Sequence, residues 1–199
     1  MDLPRAGDRT RQGRPVDPSL GPRILEAVID VIAESGYAAM TTAVVARRAG
    51  VSTATLYRRW PTRRDLVLAA ASAVGNEEKD VDTGSTAGDL RAMLEHKNEV
   101  LSGRVVTALL SLIAESAHDA ELAGVVRGIV YRPTRDALAA ILARAHDRGD
   151  EPAVDADRAA LVVVGSIMAA AAFRGDGAEV EELFGPADID LLVRALTRT

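Results

Sequence analysis

The sequence predicts an all-α fold: an N-terminal three-helix unit containing a helix-turn-helix, then a larger helical region, about nine helices in all. Three observations support this. Apolar residues recur at spacings of three and four through most of the chain, and no stretch alternates apolar and polar as a half-buried strand would. The composition is 48% hydrophobic but only 3% aromatic, so the core must be built from Ala, Leu, Val and Ile at helical spacing. Gly, Pro, Ser and Thr fall where helix starts and stops need them. No internal repeat at a solenoid period is present.

Residues 1–18 read as a flexible basic arm, with Pro4, Pro15, Pro18 and four arginines, Arg5, Arg9, Arg11 and Arg14. Such a segment has too little apolar surface to fold alone. A helix is predicted over about 21–35, with Ile24, Val28, Val31 and Ile32 on one face and Gly36 as its stop. Thr41 is placed to cap a short helix over 42–49, with Val45, Ala46 and Ala49 inward. Gly50 and Val51 form the next turn, and Ser52 caps a third helix over about 53–59. Pro61 breaks the chain, and Thr62 with Asp65 has capping-box spacing for a fourth helix to about 74. The polar, glycine-bearing stretch 75–88 holds the expected domain joint. Helices follow near 88–101, 104–117, 120–147, 155–173 and 186–198, with Pro133 expected to kink the long one. The resulting division is 1–18 as arm, 19–68 as a small helical unit and 69–199 as a larger one.

The net charge is −5, an unusual balance for a protein that meets phosphates. Its distribution resolves the conflict: residues 1–68 carry 11 Arg against 7 Asp or Glu, while residues 69–199 carry 13 Lys or Arg against 22 acids. The basic part can face nucleic acid while the acidic part faces away. With no cysteine, disulfides, thiolate catalysis and cysteine zinc sites are excluded, and a reducing cytoplasm is the expected location. No metal and no cofactor are predicted: His96, His118 and His146 are each more than 20 residues apart. Residues 1–16 lack the apolar stretch of a signal peptide. The longest near-continuous apolar run, Ala159–Phe173, is short for a membrane span at 15 residues, so no membrane partner is expected.

The segment 41–60 carries the function. Ala46 is small where two helices approach, Gly50 permits the turn, Val51 fills the space between them, and Leu56 and Trp60 share the inward face. The outward face then carries Thr53, Thr55, Tyr57, Arg58 and Arg59, side chains of the kinds that meet phosphates and base edges. A second helix presented this way lies in the major groove.

The run resembles the TetR/AcrR family of regulators. The similarity spans about 23–68: Ile24-Leu25-Glu26-Ala27, Gly36-Tyr37, Thr42 with Val45-Ala46, Ala49-Gly50-Val51-Ser52, Thr55-Leu56-Tyr57-Arg58, Trp60 and Leu66. The resemblance implies an all-helical homodimer that binds double-stranded operator DNA and responds to a small-molecule effector. It further implies that Thr42 and Tyr57 hold phosphates, that Thr53 faces base edges beside Ser52 and Thr55, and that Arg47 and Arg58 meet phosphate or base. Arg63 falls where the family commonly has a basic phosphate contact. Pro61 stands where many members carry a basic residue, and Arg64 is the nearest replacement. In the arm, Gly13-Arg14-Pro15 resembles strands that enter a narrow minor groove, with Arg14 as the inserted residue.

Beyond residue 69 the reading is coarser. The run 159–173 is apolar nearly all round and must be covered on several sides. Gly165, Ser166 and Ala169 allow close approach, and Ile189, Leu192, Val193 and Leu196 offer a matching stripe, so these two helices are predicted to pair with their copies in a second chain. Helices 88–147 would enclose the effector pocket, with Met93, Leu94, Leu110, Ile113, Ile129, Tyr131 and Met168 as lining residues. An enzyme is not predicted: no glycine-rich phosphate loop, nucleophile elbow or metal cluster is present. The competing readings are a helical scaffold that no longer binds DNA, disfavoured by the Thr, Tyr and Arg face, and an activator rather than a repressor, which the sequence leaves open.

Overall fold

The structure, a computed structural model, describes residues 19–75, 82–101, 103–150, 154–173 and 183–197. Helices joined by short turns make up nearly all of these residues. The first helix, α1 (Leu20–Ala39), buries Ile24, Ala27, Val28, Val31 and Ile32 along one face. Its regular course is interrupted at Gly36, whose φ of 79° only glycine adopts without strain. That turn sends Tyr37 into the core, where its backbone N–H donates to Ser111 Oγ at 2.9 Å. Helices α2 (Thr42–Ala49) and α3 (Thr53–Arg59) follow with the predicted caps: Thr41 accepts from the Val44 N–H and Ser52 from the Thr55 N–H. Helix α4 (Arg63–Gly75) opens on a reciprocal pair, with the Asp65 N–H donating to Thr62 Oγ1 at 3.1 Å and the Thr62 N–H to Asp65 Oδ2 at 2.9 Å.

Five further helical stretches make the rest: α5 (Thr86–Val100), α6 (Gly103–Ser116), α7 (Ala120–Val126) running on into α8 (Arg132–Asp147), α9 (Ala156–Phe173) and α10 (Pro186–Leu196). Helices α7 and α8 are joined without a break by a π turn, Arg127–Tyr131. Proline at 133 has no N–H to give, and its ring would strike the carbonyl four residues back, that of Ile129. The kink predicted there takes the form of this wider turn, in which the Arg132 N–H reaches the Arg127 carbonyl five residues back. With α7 and α8 taken as one, the described residues hold nine helices.

Two cores result. One gathers Ile24, Val28, Tyr37, Met40, Val45, Leu56 and Leu66 of α1–α4 together with Ala108 and Leu112 of α6 and Leu122 of α7. The N-terminal helices therefore close their core on helices from the C-terminal half. The other gathers α5, α8, α9 and α10 around Leu90, Leu138, Val163, Ile167 and Leu192. Asp89 lies at its edge, 1% exposed. Its carboxylate accepts from the Thr83 N–H and hydroxyl at 2.7 Å and from the Arg148 guanidinium at 3.1 and 3.2 Å, with Arg144 Nε at 3.4 Å. Burial pushes this acid upward, but the Thr83 donors and Arg148 outweigh it and hold its pKa below the usual Asp value.

One predicted feature of the C-terminal half needs correction. Ile189, Leu192, Val193 and Leu196 are buried within their own chain, in the core they share with α5, and offer no surface to a second one. The outward side of α10 is instead Ala187, Leu191 and Ala195, with Leu191 61% exposed. On α9 the outward side is Leu161, 64% exposed, with Val162, Gly165, Ala169 and Phe173, while Ser166 is half-buried. This helix has the length and composition to cross a membrane, being 18 residues at a mean hydropathy of 1.6. Here it packs its Ala159–Val163–Ile167–Ala170 side on the second core.

Candidate DNA-binding surface and an apolar cavity

The turn between α2 and α3 explains its own sequence. Gly50 is left-handed at φ 65°, its N–H donates to the Arg47 carbonyl at 3.2 Å, and the Val51 N–H donates to the Ala46 carbonyl at 2.9 Å. That is the 6→1 and 5→2 pattern of a Schellman stop, with Val51 seated against the core beside Ala46. Leu56 is fully buried and Trp60 half-buried against the same core, so α3 cannot rotate. Its other side is thereby fixed outward: Thr53 and Arg58 are exposed and Tyr57 is 55% exposed. Arg47 is exposed at the end of α2, and Thr42 is half-buried at its start. Ser52 and Thr55 share a hydroxyl–hydroxyl bond of 2.9 Å, which uses one of their two hydrogens and leaves the other to offer. Arg14 and the arm lie outside the described residues.

Three arginines are held by the protein itself. Arg48 pairs with Glu34 and stands 3.6 Å from Asp30, which also accepts from Arg104 at 2.6 Å. Arg64 pairs with Asp119, at 3.3 Å, and with Glu121, both in the opening turn of α7. It therefore points to the C-terminal half rather than standing in for the base missing at Pro61. The Leu122 N–H, ahead of Arg64, holds Asp119 below the usual carboxylate range against the opposing pull of burial. Arg63 lies over the Tyr37 ring, 4.0 Å from its centre, and donates to the carbonyls of Met40 at 3.2 Å and Tyr37 at 3.4 Å. It thus ties α4 to the end of α1. Replacing Arg63 with Met is expected to cost about 1–2 kcal/mol in urea unfolding, with the salt slope of DNA binding unchanged. Unchanged stability with a slope reduced by about one would make Arg63 a phosphate contact instead.

An apolar cavity of about 470 Å³ lies between the two halves. Its walls come from α1 and α4 on one side and from α5, α6, the π turn, α8 and α9 on the other. Of the residues expected to line an effector pocket, Ile129 and Met168 face this cavity, and Met93, Leu94, Leu110, Ile113 and Tyr131 do not. Leu94 is fully buried in the second core, and Met93 and Leu110 pack against that core. Tyr131 gives its hydroxyl to Asp157 Oδ1 at 3.0 Å. Along α6 the lining side is Val105, Ala108, Leu109 and Leu112; positions 110 and 113 lie about 100° round the helix. The sequence reading missed α4, whose Val67, Ala71 and Val74 form a wall. The signal was there: Leu66–Val74 is apolar on more than the one side a single core needs. His96 and Lys97 of α5 also reach the cavity and are its only ionisable lining residues among those described.

A fixed second helix bearing Thr, Tyr and Arg outward, set on a capped helix and a left-handed glycine turn, defines a helix-turn-helix DNA-binding protein. The comparisons narrow this. The family model described as bacterial regulatory proteins, tetR family, matches residues 24–70, and that for the tetracyclin repressor-like C-terminal domain matches 80–196. The DNA-binding transcriptional repressor TetR of Mycobacteroides abscessus is 34% identical over 140 residues, 68% of this chain and 72% of that one. The regulator AqdR of Rhodococcus erythropolis is 30% identical over 147 residues, 73% and 70% of the two chains. Among solved structures, a TetR-family regulator from Agrobacterium tumefaciens superposes with a TM-score of 0.64 at 21% identity, covering 90% of this chain and 98% of that one. Bacillus subtilis FadR in complex with stearoyl-CoA superposes at 0.63 and 19%, covering 89% and 97%, and shares the fold. The chain belongs to the TetR family of DNA-binding transcriptional regulators, and it is not an enzyme.

Proposed function

We propose that the chain is a cytoplasmic homodimeric repressor, associated with the nucleoid when bound, that a small molecule in the interhelical cavity releases from its operator. The observation that carries this reading is the cavity's position. Helix α4 leads directly from the helix-turn-helix and supplies one wall, so an occupant touches the element that aims α3. A ligand that fits only one setting of α4 shifts the protein toward that setting by its difference in affinity for the two. In a dimer that shift moves two recognition helices off the spacing of successive grooves, about 34 Å. The repressor named among the relatives and the acyl ligand in the FadR complex are consistent with both halves of the proposal.

The second chain seats on the outward side of α9 and α10. Leu161, Gly165 and Ala169 recur at four on α9, and Ala187, Leu191 and Ala195 do the same on α10, leaving large and small apolar residues exposed side by side. The working division is an arm over 1–18, a DNA-binding unit over 19–68 and a sensing and pairing unit over 69–199, with the cavity at their joint. On the DNA side, Thr53 reads a base edge; Thr42, Tyr57, Arg47 and Arg58 hold backbone or base; and Ser52 and Thr55 set the start of α3. Arg14 follows the minor groove.

Thr53→Ala tests this assignment. It is expected to change the ranking of single-base operator variants by about 1–3 kcal/mol at one position per half-site, read by competition anisotropy. A uniform loss across all variants would make Thr53 a backbone contact.

A further inference from the structure

We infer that the cavity takes a flexible aliphatic anion, an alkyl chain ending in one carboxylate or a comparably compact negative group. The inference rests on the reading of the cavity as a small-molecule site. Its first support is the wall itself. The lining is Val, Ile, Leu, Ala and Met almost throughout, and no Phe, Tyr or Trp faces it among the described residues. Among the described lining residues a planar ring system would find only the His96 imidazole to stack on, whereas an alkyl chain gains from every methylene it buries. The volume lies within the roughly 300–1,000 Å³ of small-ligand sites.

The second support is the sign of the charge. His96 and Lys97 are adjacent on α5, both basic, and no Asp or Glu lines the cavity among the described residues. Glu99 comes within 3.7 Å of His96 Nδ1, but its side chain is 80% exposed and does not line the cavity. The two other polar lining side chains add no charge: Ser72 is exposed, and the Thr134 hydroxyl donates to the Val130 carbonyl at 2.9 Å. A cationic ligand would be stripped of water with no counter-charge to meet it among the described lining residues. An anion meets the Lys97 ammonium, whose three N–H donors let a ligand oxygen add to the contacts it already has, and an imidazole N–H beside it. The headgroup therefore sits at α5 and the chain runs along the Val67–Ala71–Val74 wall of α4.

The test is calorimetric titration of the full chain, without DNA, with decanoate, decanol and decylamine below their aggregation concentrations. Decanoate should bind at least tenfold tighter than decanol, and decylamine weakest. Lys97→Met should bring decanoate down to the level of decanol and leave decanol unchanged; His96→Ala should cause a smaller loss. Decylamine equal to decanoate, no binding by any of the three, or decanoate binding indifferent to Lys97→Met would overturn the inference. The wild-type ranking stands even if a variant folds poorly. A parallel anisotropy titration of operator-bound protein with decanoate separates the two readings. Tight, Lys97-dependent binding without release from DNA would overturn effector control and leave the ligand class standing.

Discussion

If the chain pairs as proposed, Leu161→Glu is expected to split the proposed dimer and lower operator affinity by about 10²–10⁴-fold, the factor that joining two binding heads supplies. Leu161 sits at the centre of the outward side of α9, 64% exposed, four residues from Gly165 and within one helix turn of Val162. Across the two-fold axis of that proposed pairing the same side would meet itself, so one substitution would place two carboxylates in an apolar contact. Each would lose water without gaining a partner. The position carries nothing in the chain's own core, so unfolding stability measured on the monomer should stay within about 0.5 kcal/mol of a surface substitution. Sedimentation equilibrium reads the assembly and anisotropy reads the DNA. A variant that remains dimeric with unchanged affinity would place the pairing surface elsewhere.

Asp89→Asn is expected to cost the fold about 3 kcal/mol. Removing one partner of a buried ion pair typically costs about 3–5 kcal/mol, because the partner charge stays behind. The low end applies here, since the Arg144 and Arg148 side chains are 22% and 23% exposed and recover some water. Asparagine keeps an acceptor for the Thr83 N–H but loses the charge that both guanidinium groups face. The folded pKa of Asp89 is depressed. Its contribution is therefore complete above the unfolded value, near pH 4, and is lost as pH falls through the folded value. Urea midpoints of the two proteins should differ most at neutral pH and converge in acid. A gap that persists undiminished well below pH 3 would mean that shape, not charge, makes Asp89 matter.

What the sequence disclosed was local. Thr41, Ser52 and Thr62 cap their helices, and Gly36 and Gly50 stop theirs, because each acts on backbone groups within four residues. The outward side of α3 was legible for the same reason: Leu56 and Trp60 fix which way the helix faces. The C-terminal half depended on tertiary choices. Helix α10 has two apolar stripes, and the bulkier one, Ile189–Leu192–Val193–Leu196, turned inward against α5. Burial rewards the larger side chains first, leaving Leu191 between two alanines outside. Arg63 and Arg64 occupy neighbouring positions with the same chemistry, yet one was claimed by carbonyls at the end of α1 and the other by acids on α7. The α4 wall of the cavity escaped prediction because α4 serves two neighbours, and only the packing of α6 against α1 reveals the gap between them.

The central claim is that two copies of the α3 face read DNA together. Selection of the full chain against a pool of random duplexes tests it most directly. The account predicts enrichment of a two-fold symmetric sequence whose half-sites are about 10–10.5 base pairs apart or a multiple of that, with the enrichment lost in Tyr57→Ala. Recovery of no sequence above background, or of a single asymmetric half-site bound equally well by Leu161→Glu, would contradict it.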